Sequence, residues 1–460
     1  MADDLDEELH ADLPPRYSEE RLAAEFTRQN GAQWRYVEVW SRWFSWDGRR
    51  WAGEDTLRAF DLARKVAREM SVQARFDEEL QPQQREKVAL SIASAKTIAA
   101  IERLARADRV HAVTSDLWDR DPWVLNTPTG VLYLNTGKIG PHVPDAYQTK
   151  LTSAGISGEC LAWMAFLARV TADDGELQAF LQRFVGYSLS GSTREHALLF
   201  LYGLGGNGKS TFINALLGAF GDYAIVAPME TFMESFVSRH PSELAMLRGA
   251  RLVVAQEVED GQRWAASKIK QLTGGDVIQA RYMRQDWFSY LPQFKLLLSG
   301  NHKPSFRSID EALRRRFFLV NFGQTIGADE RDKTLPEKLH AERAGILSWA
   351  AEGCAEWQRI GLAPPASVVE ATSAYLEDED LMRTWLDECC EKDRSAFCPV
   401  AELHSNYQGW AERGGEKFLG MKRFSQALED HGFVRDRKNK NRVRVFEGIR
   451  LRQEQGRLDG

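Results

Sequence analysis

Residues 197–220 read ALLFLYGLGGNGKSTFINALLGAF, and the fold turns on how this stretch divides. Ala197–Gly203 is a short continuous apolar run, the pattern of a strand buried on both faces of a parallel sheet. Gly203-Leu-Gly-Gly-Asn-Gly-Lys209-Ser210 then fills every position of G-x-x-x-x-G-K-[ST]. Thr211–Phe220 has the spacing of a helix. Strand, glycine-rich loop and helix in that order make a phosphate-binding loop. Gly203, Gly205, Gly206 and Gly208, with Asn207 among them, let backbone N–H groups approach phosphate oxygens without a Cβ in the way. The helix start at Lys209, Ser210 and Thr211 adds the positive end of the helix dipole. Lys209 would bridge the β- and γ-phosphates, and the Ser210 hydroxyl would ligate Mg²⁺, so ATP and Mg²⁺ are the implied cofactors. Kinases, GTPases and motor ATPases share this loop, so it fixes no reaction by itself.

The downstream strands narrow the choice. Arg251-Leu-Val-Val-Ala-Gln-Glu257 is a second buried strand, and it ends in an acid. Lying next to the loop strand, it would set Glu257 beside the γ-phosphate and the metal as the residue that polarises water. Phe294-Lys-Leu-Leu-Leu-Ser-Gly-Asn301 is a third strand with a polar end. On spacing alone Asn301 serves a γ-phosphate contact and an ordinary turn equally well. Asp310-Glu-Ala-Leu-Arg314-Arg315-Arg316-Phe-Phe follows. Consecutive arginines beside an apolar strand suit a finger reaching a neighbouring subunit's phosphate, or a solvated basic face. Between the second and third strands, two β-prone runs flank Met283–Asp286, so Lys270, Arg281 and Arg284 belong to a hairpin with Arg284 near its tip, where a nucleic-acid backbone could be met.

The 460 residues suggest several domains, and Lys+Arg 60 against Asp+Glu 66 gives a net charge of −6. That excludes a protein coated in positive charge, not one with local basic patches. Residues 1–17 read as an acidic disordered tail, with no signal peptide. No apolar run approaches the ~20 residues that span a bilayer, and a soluble, cytoplasmic protein is expected. Residues 18–115 hold an aromatic stretch around the Asp47-Gly48 turn, read as a β-hairpin whose tryptophans form a small core or stack on bases, and then a helical run with Pro82 inside it. The five cysteines lack zinc spacing; Cys389, Cys390, Cys398 and His404 are no finger or ribbon.

After residue 361 the segment LAPPASV reads as a linker. A helical run over Ser367–Glu391 follows, then helices Pro399–Arg413 and Met421–His431 and a basic hairpin. Two helices and a hairpin suggest a winged helix spanning 367–452 with its linker helix. Arg435, Arg437, Lys438, Lys440, Arg442 and Arg444 stand against the lone acid Asp436 there. Such a wing suits DNA phosphates, and Lys422 and Arg423, opening the preceding helix, could reach phosphate or bases.

The ordered set of phosphate loop, LVVAQE, KQLTGGD, LLLSGNHKP and DEALRRRFF resembles the superfamily 3 helicases, and most closely the phage and plasmid primase–helicase family related to the poxvirus primase-helicase. Residues 116–191, through DPWVLNTPTGVLYLNTG and FLQRFVGYSLSG, resemble that family's helicase-associated N-terminal domain. The resemblance implies an α/β, AAA+-like ATPase core over 192–361, assembled as a homo-oligomeric ring, usually a hexamer, that translocates 3′ to 5′ on single-stranded or forked DNA. It makes Lys209 and Ser210 the nucleotide and metal ligands, Glu257 the Walker B acid that shares the metal, Asn301 the sensor, and Arg315 and Arg316 the arginine-finger pair. It places Lys270, Arg281 and Arg284 in the hairpin facing the DNA channel. Gln256 stands where other branches carry a second acid. Ahead of the resemblance no paired-acid or zinc cluster suggests primer synthesis, so a helicase without primase activity is expected, served by a separate primase or host replication proteins. The alternative is an ATP-switched DNA-binding replication initiator that does not unwind processively.

Overall fold

The computed structural model describes residues 14–234, 242–257, 262–283, 286–306, 309–378, 380–416, 418–438 and 443–452. They fall into two compact units. One runs to Asp121 and includes Gly130–Leu132 and Ile139–Leu151; the other holds Pro122–Thr129, Tyr133–Lys138 and the chain from Thr152 onward.

In the first unit, Ser18 caps the helix Glu19–Asn30 by accepting from the Arg21 N–H. Antiparallel strands Trp34–Val37, Arg42–Trp46 and Trp51–Gly53 follow. The turn between the last two is the expected one: Trp46 pairs with Trp51, Gly48 takes φ +95°, and the Asp47 carboxylate accepts from the Arg49 and Arg50 N–H groups. The helical run is three helices, Arg58–Phe76, Pro82–Ile92 and Ala95–Ala105. Pro82 opens the second, where its missing N–H costs nothing. Trp34, Trp43 and Trp51 are buried, so these three serve as core, while Trp40 and Trp46 of the same stretch are half-buried. Trp43 donates its indole N–H to Glu102 at 2.7 Å, and Glu102 also takes Arg106, so this buried carboxylate is compensated.

The second unit is mixed α/β around a five-stranded parallel sheet. Its spatial order is Phe317–Asn321, Leu198–Tyr202, Lys295–Gly300, Leu252–Gln256 and Ala224–Val226. Leu198, Phe200, Val253, Leu296 and Leu298 carry one face of the sheet into a core with Trp264, Phe317 and Tyr375. Helices Gly175–Leu189 and Arg343–Ile360 touch backbone to backbone: a Cβ on Gly186 would lie 2.1 Å from the Cys354 nitrogen, and one on Gly353 would lie 2.2 Å from the Gln182 oxygen. At the amino ends of two strands sit buried cations that bond carbonyl oxygens. Arg251 donates to Pro122 and Val124, and Lys295 to Ser190 and Ser192.

The C-terminal part departs from expectation in one respect. The run Ser367–Glu391 is not one helix: Ala366–Asp378 and Leu381–Cys389 are separate, and Cys390–Pro399 is a strand. Asp380 makes the break. Its carboxylate accepts from the Met382 and Arg383 N–H groups and starts the second helix. Helices Val400–Arg413 and Met421–Asp430 and strands Val434–Lys438 and Val443–Leu451 complete this part, with Val443–Leu451 central in its three-stranded sheet. Cys390 and Cys398 lie in its hydrophobic core with Trp385, Leu403 and Phe424, and burial pushes their thiols up to about 12 and about 11.

Candidate functional site

The loop Gly203–Gly208 leaves the strand Leu198–Tyr202 and feeds the helix Lys209–Phe220. Its glycines are required for two separate reasons. Gly205, Gly206 and Gly208 hold φ of +105°, +62° and +87°, a region that side-chain-bearing residues resist. Gly203 is needed for space: a Cβ there would lie 2.0 Å from Asn207 Nδ2 and 2.6 Å from the Phe322 oxygen. Phe166 and Val170 back the loop, close enough that a Cβ on Gly208 would meet Val170 at 2.6 Å.

Lys209 is buried and has no carboxylate partner among the described residues. Its ammonium donates to the Gly203 oxygen at 2.6 Å, to Asn207 Oδ1 at 3.0 Å and to Asn301 Oδ1 at 3.0 Å. Burial lowers its pKa. An uncompensated cation under a ring of small residues fits a polyanion. Ser210 is exposed at the helix start, and Thr211 half-buried beside it, so the Ser210 hydroxyl is open to a metal ion held at a phosphate.

Asn207 does more than fill a variable position. While its Oδ1 accepts from Lys209, its Nδ2 donates to the Phe322 carbonyl at 2.8 Å, joining the loop to the chain that leaves the edge strand. The motif leaves the side chain at this position free, so the sequence marked Asn207 as a loop residue but not these two side-chain bonds.

The strand order corrects the expected neighbour. Strand Leu252–Gln256 does not lie next to the loop strand, because Lys295–Gly300 lies between them. The registers Gly300 with Tyr202 and Ser299 with Gln256 bring Asn301 and Glu257 to one end of the sheet, at roughly 5 and 10 Å from the loop strand by strand spacing. Asn301 is therefore the polar residue that touches Lys209. Glu257, one strand further out, is exposed and holds φ +71°. A glutamate in left-handed backbone is strained, and such strain collects where a side chain must be aimed.

Arg315 and Arg316 lie elsewhere. They follow the short helix Glu311–Arg314 and precede the edge strand, and the Arg316 carbonyl accepts from the Leu198 N–H. They are at the amino ends of the strands, whereas the loop is at the carboxyl ends. A five-residue strand separates the two by roughly 16 Å. Arg316 donates through Nη1 to the Ala312 carbonyl, while its buried Nε has no partner among the described residues; Arg315 is exposed beside Glu311 at 3.9 Å. Neither lies at the loop Gly203–Gly208 of its own chain.

The residues expected to face DNA scatter. Lys270 is committed to an ion pair with Asp310, the residue capping the helix before Arg315. The hairpin exists as strands Ile278–Ala280 and Phe288–Tyr290, with Arg281 over the Trp287 ring at 5.0 Å. Arg284 lies outside the described residues. Lys422 and Arg423 are exposed at the start of helix Met421–Asp430, Arg444 is exposed, and Arg435 pairs with Glu429 at 3.1 Å. Arg437 and Lys438 belong to the strand Val434–Lys438; Lys440 and Arg442 lie outside the described residues. No helix is long and apolar enough to cross a membrane, and no cluster of His, Cys, Asp and Glu that could hold a metal occurs among the described residues.

Three protein families match in chain order: D5 N terminal like over residues 19–172, a family of unknown function over 201–316, and Poxvirus D5 protein-like over 377–449. A curated relative from Frog virus 3 (isolate Goorha), named "Putative helicase 022R", is 27% identical over 270 residues, covering 54% of this chain and 27% of the relative. A second, "Putative helicase L207/L206" of Acanthamoeba polyphaga mimivirus, is 25% identical over 268 residues, covering 53% of this chain and 28% of the relative. The chain thus spans little more than a quarter of the length of these relatives. Among solved structures, the apo C-terminal region (305–718) of NrS-1 aligns with a TM-score of 0.40 at 10% identity, over 68% of this chain and 87% of that one. The D5 matches toward both ends of the chain, together with the viral relatives named as putative helicases, support a D5-like primase–helicase protein.

Proposed function

We propose that this chain is an ATP-dependent DNA helicase of a phage, prophage or plasmid-like element, an AAA+-like ring motor moving 3′ to 5′, with a C-terminal winged helix that engages DNA. The observation that carries the reading is the position of the charges around one sheet. The buried Lys209 lies at the carboxyl end, held by Asn301, while Arg315 and Arg316 sit at the amino end, out of reach of the same loop. A phosphate loop whose arginines face away is half of a site that a second copy completes.

Bound ATP with Mg²⁺ would supply the phosphoanhydride and the charge neutralisation that its cleavage requires. The chain's own residues divide the remaining work. Backbone N–H groups of Gly205–Lys209 and the Lys209 ammonium hold the phosphates, and the Ser210 hydroxyl and the Glu257 carboxylate would hold the metal. Glu257 takes a proton from water; Asn301 keeps Lys209 and the lytic position in register. Arg315 or Arg316 of the next subunit stabilises the charge that develops. The hairpin around Arg281 and the exposed Lys422, Arg423 and Arg444 meet the DNA backbone.

ATPase assays with and without single-stranded DNA test the reading. DNA should stimulate hydrolysis, and Lys209→Ala should abolish it; hydrolysis that survives Lys209→Ala refutes the site. The exposed basic residues opening helix Met421–Asp430 favour a second reading, an ATP-switched initiator that binds DNA without processive unwinding. Strand displacement on a forked duplex by the purified protein excludes it.

A further inference from the structure

We propose that Arg331 is a second same-chain cation for the nucleotide, reaching the polyphosphate from the exposed side of the loop while Lys209 holds it from beneath. This rests on the nucleotide-site reading above and adds a residue that the loop motif does not contain. Residues 323–331 leave the edge strand and run back over the loop. The Ile326 N–H donates to the Gly206 carbonyl at 2.8 Å, and a Cβ on Gly206 would lie 3.0 Å from Arg331 Nη2 and 4.0 Å from Thr325 Cγ2. The Arg331 guanidinium therefore hangs over a loop residue whose backbone, in a site of this kind, faces phosphate.

The charges around it single it out. Glu330 is taken by Arg169 at 2.6 Å, and Arg169 also donates to the Thr325 carbonyl, so the segment is tied at both ends to the helix Leu161–Val170. The Arg169 hydrogen bond holds the Glu330 carboxyl below its ordinary value. Asp332 is taken by Lys338 and Thr334, which push its carboxyl down to about 2. Both carboxylates flanking Arg331 in sequence are thus satisfied by other groups. Arg331 itself makes one hydrogen bond, Nε to the Ile326 carbonyl at 3.3 Å, and no ion pair among the described residues. That single bond orients the guanidinium, with Nη2 beside Gly206 of the loop. A planar fork held by one backbone contact and lacking a carboxylate is arranged for bidentate binding of a phosphate. The arrangement also separates two roles by exposure. Lys209 is fixed in the buried floor, and Arg331 is an exposed residue that closes on ligand.

Equilibrium binding of fluorescent ATP and ADP analogues to the full chain tests this, with Arg331→Ala, Arg331→Gln, Arg331→Lys, Lys333→Ala and Lys209→Ala compared. Arg331→Ala and Arg331→Gln should each weaken ATP binding about tenfold or more, the size of a lost charge-assisted contact. Gln keeps a donor for the Ile326 carbonyl, so its loss isolates the charge from the fold of the segment. Arg331→Lys should recover part of the affinity, and Lys333→Ala should stay within twofold of the parent. Wild-type affinity in Arg331→Gln, or an equal loss in Lys333→Ala, overturns the proposal. Tight binding that survives Lys209→Ala, or no binding by the parent chain, overturns the nucleotide-site reading instead.

Discussion

Replacing Asn207 by alanine should separate the architecture of the loop from its chemistry. The side chain is 4% exposed and makes two contacts: Nδ2 to the Phe322 carbonyl at 2.8 Å and Oδ1 from Lys209 Nζ at 3.0 Å. The second is a hydrogen bond to a charged group, worth about 1.5–3 kcal/mol, and losing the first leaves a buried carbonyl short of a donor at a cost of about 1–3 kcal/mol. Lys209 keeps the Gly203 and Asn301 oxygens, which points to the low end of each range, a loss of about 2.5 kcal/mol in all. Against the 5–15 kcal/mol typical of a folded domain this is a large fraction. Urea unfolding followed by tryptophan fluorescence should show the midpoint falling at constant slope. Asn207→Asp sharpens the test. A carboxylate at this position offers Lys209 a full counter-charge and competes with phosphate, so ATP affinity should fall further in Asn207→Asp than in Asn207→Ala. If the alanine variant loses less than about 0.5 kcal/mol, within the range of an ordinary surface change, or if the aspartate variant binds ATP as the parent does, then Asn207 does not anchor Lys209 and the account of the loop is wrong.

Mixing Lys209→Ala protein with Arg315→Ala/Arg316→Ala protein should restore part of the DNA-stimulated ATPase that each lacks alone, since an intact loop can then meet intact arginines across a subunit boundary; no recovery at any mixing ratio refutes the division of the site. Gly186→Ala should destabilise by about 1–3 kcal/mol or more through overpacking against Cys354, measured by thermal melting, and a neutral result would mean that helices Gly175–Leu189 and Arg343–Ile360 are not in backbone contact. His431 gives a pH dependence. Burial pulls its pKa down, but the Asp380 hydrogen bond and charge outweigh burial and raise it, against an opposing charge from Arg314. A raised folded value means that the stabilisation is complete below the unfolded value of about 6.5 and is lost as pH rises through the folded value. Melting between pH 6 and 9 should show that loss, and Asp380→Asn should flatten it; an unchanged pH profile in Asp380→Asn would rule out the pair as its source.

How much of this was legible in the sequence depends on where the physical constraint lies. The loop was legible because each residue type is forced locally: only glycine accepts the positive φ at 205, 206 and 208, and nothing larger fits at 203. The Asp47-Gly48 turn was legible for the same reason. Strand order was not. RLVVAQE and FKLLLSGN are both short apolar runs ending in polar residues, and nothing in either states which one pairs with ALLFLYG. The break at Asp380 was likewise hidden, because an acid inside a helical run looks like a solvated face until its carboxylate is found capping Met382 and Arg383.

The strand order in turn changes what the charged residues can do. With Lys295–Gly300 beside the loop strand, the neutral Asn301, not the acid of Glu257, is the group in contact with Lys209. A carboxylate in that place would neutralise the lysine and compete with phosphate for it; an amide orients the ammonium and leaves its charge available. Glu257, set one strand away in left-handed backbone, keeps its negative charge off the lysine, as its proposed role toward a metal ion and water requires. The same parallel sheet puts Arg315 and Arg316 at the opposite end of the strands, where they would add nothing to their own loop. In this fold, then, the separation of Lys209, Glu257 and the arginines along and across one sheet is the physical reason to expect that hydrolysis and assembly depend on each other.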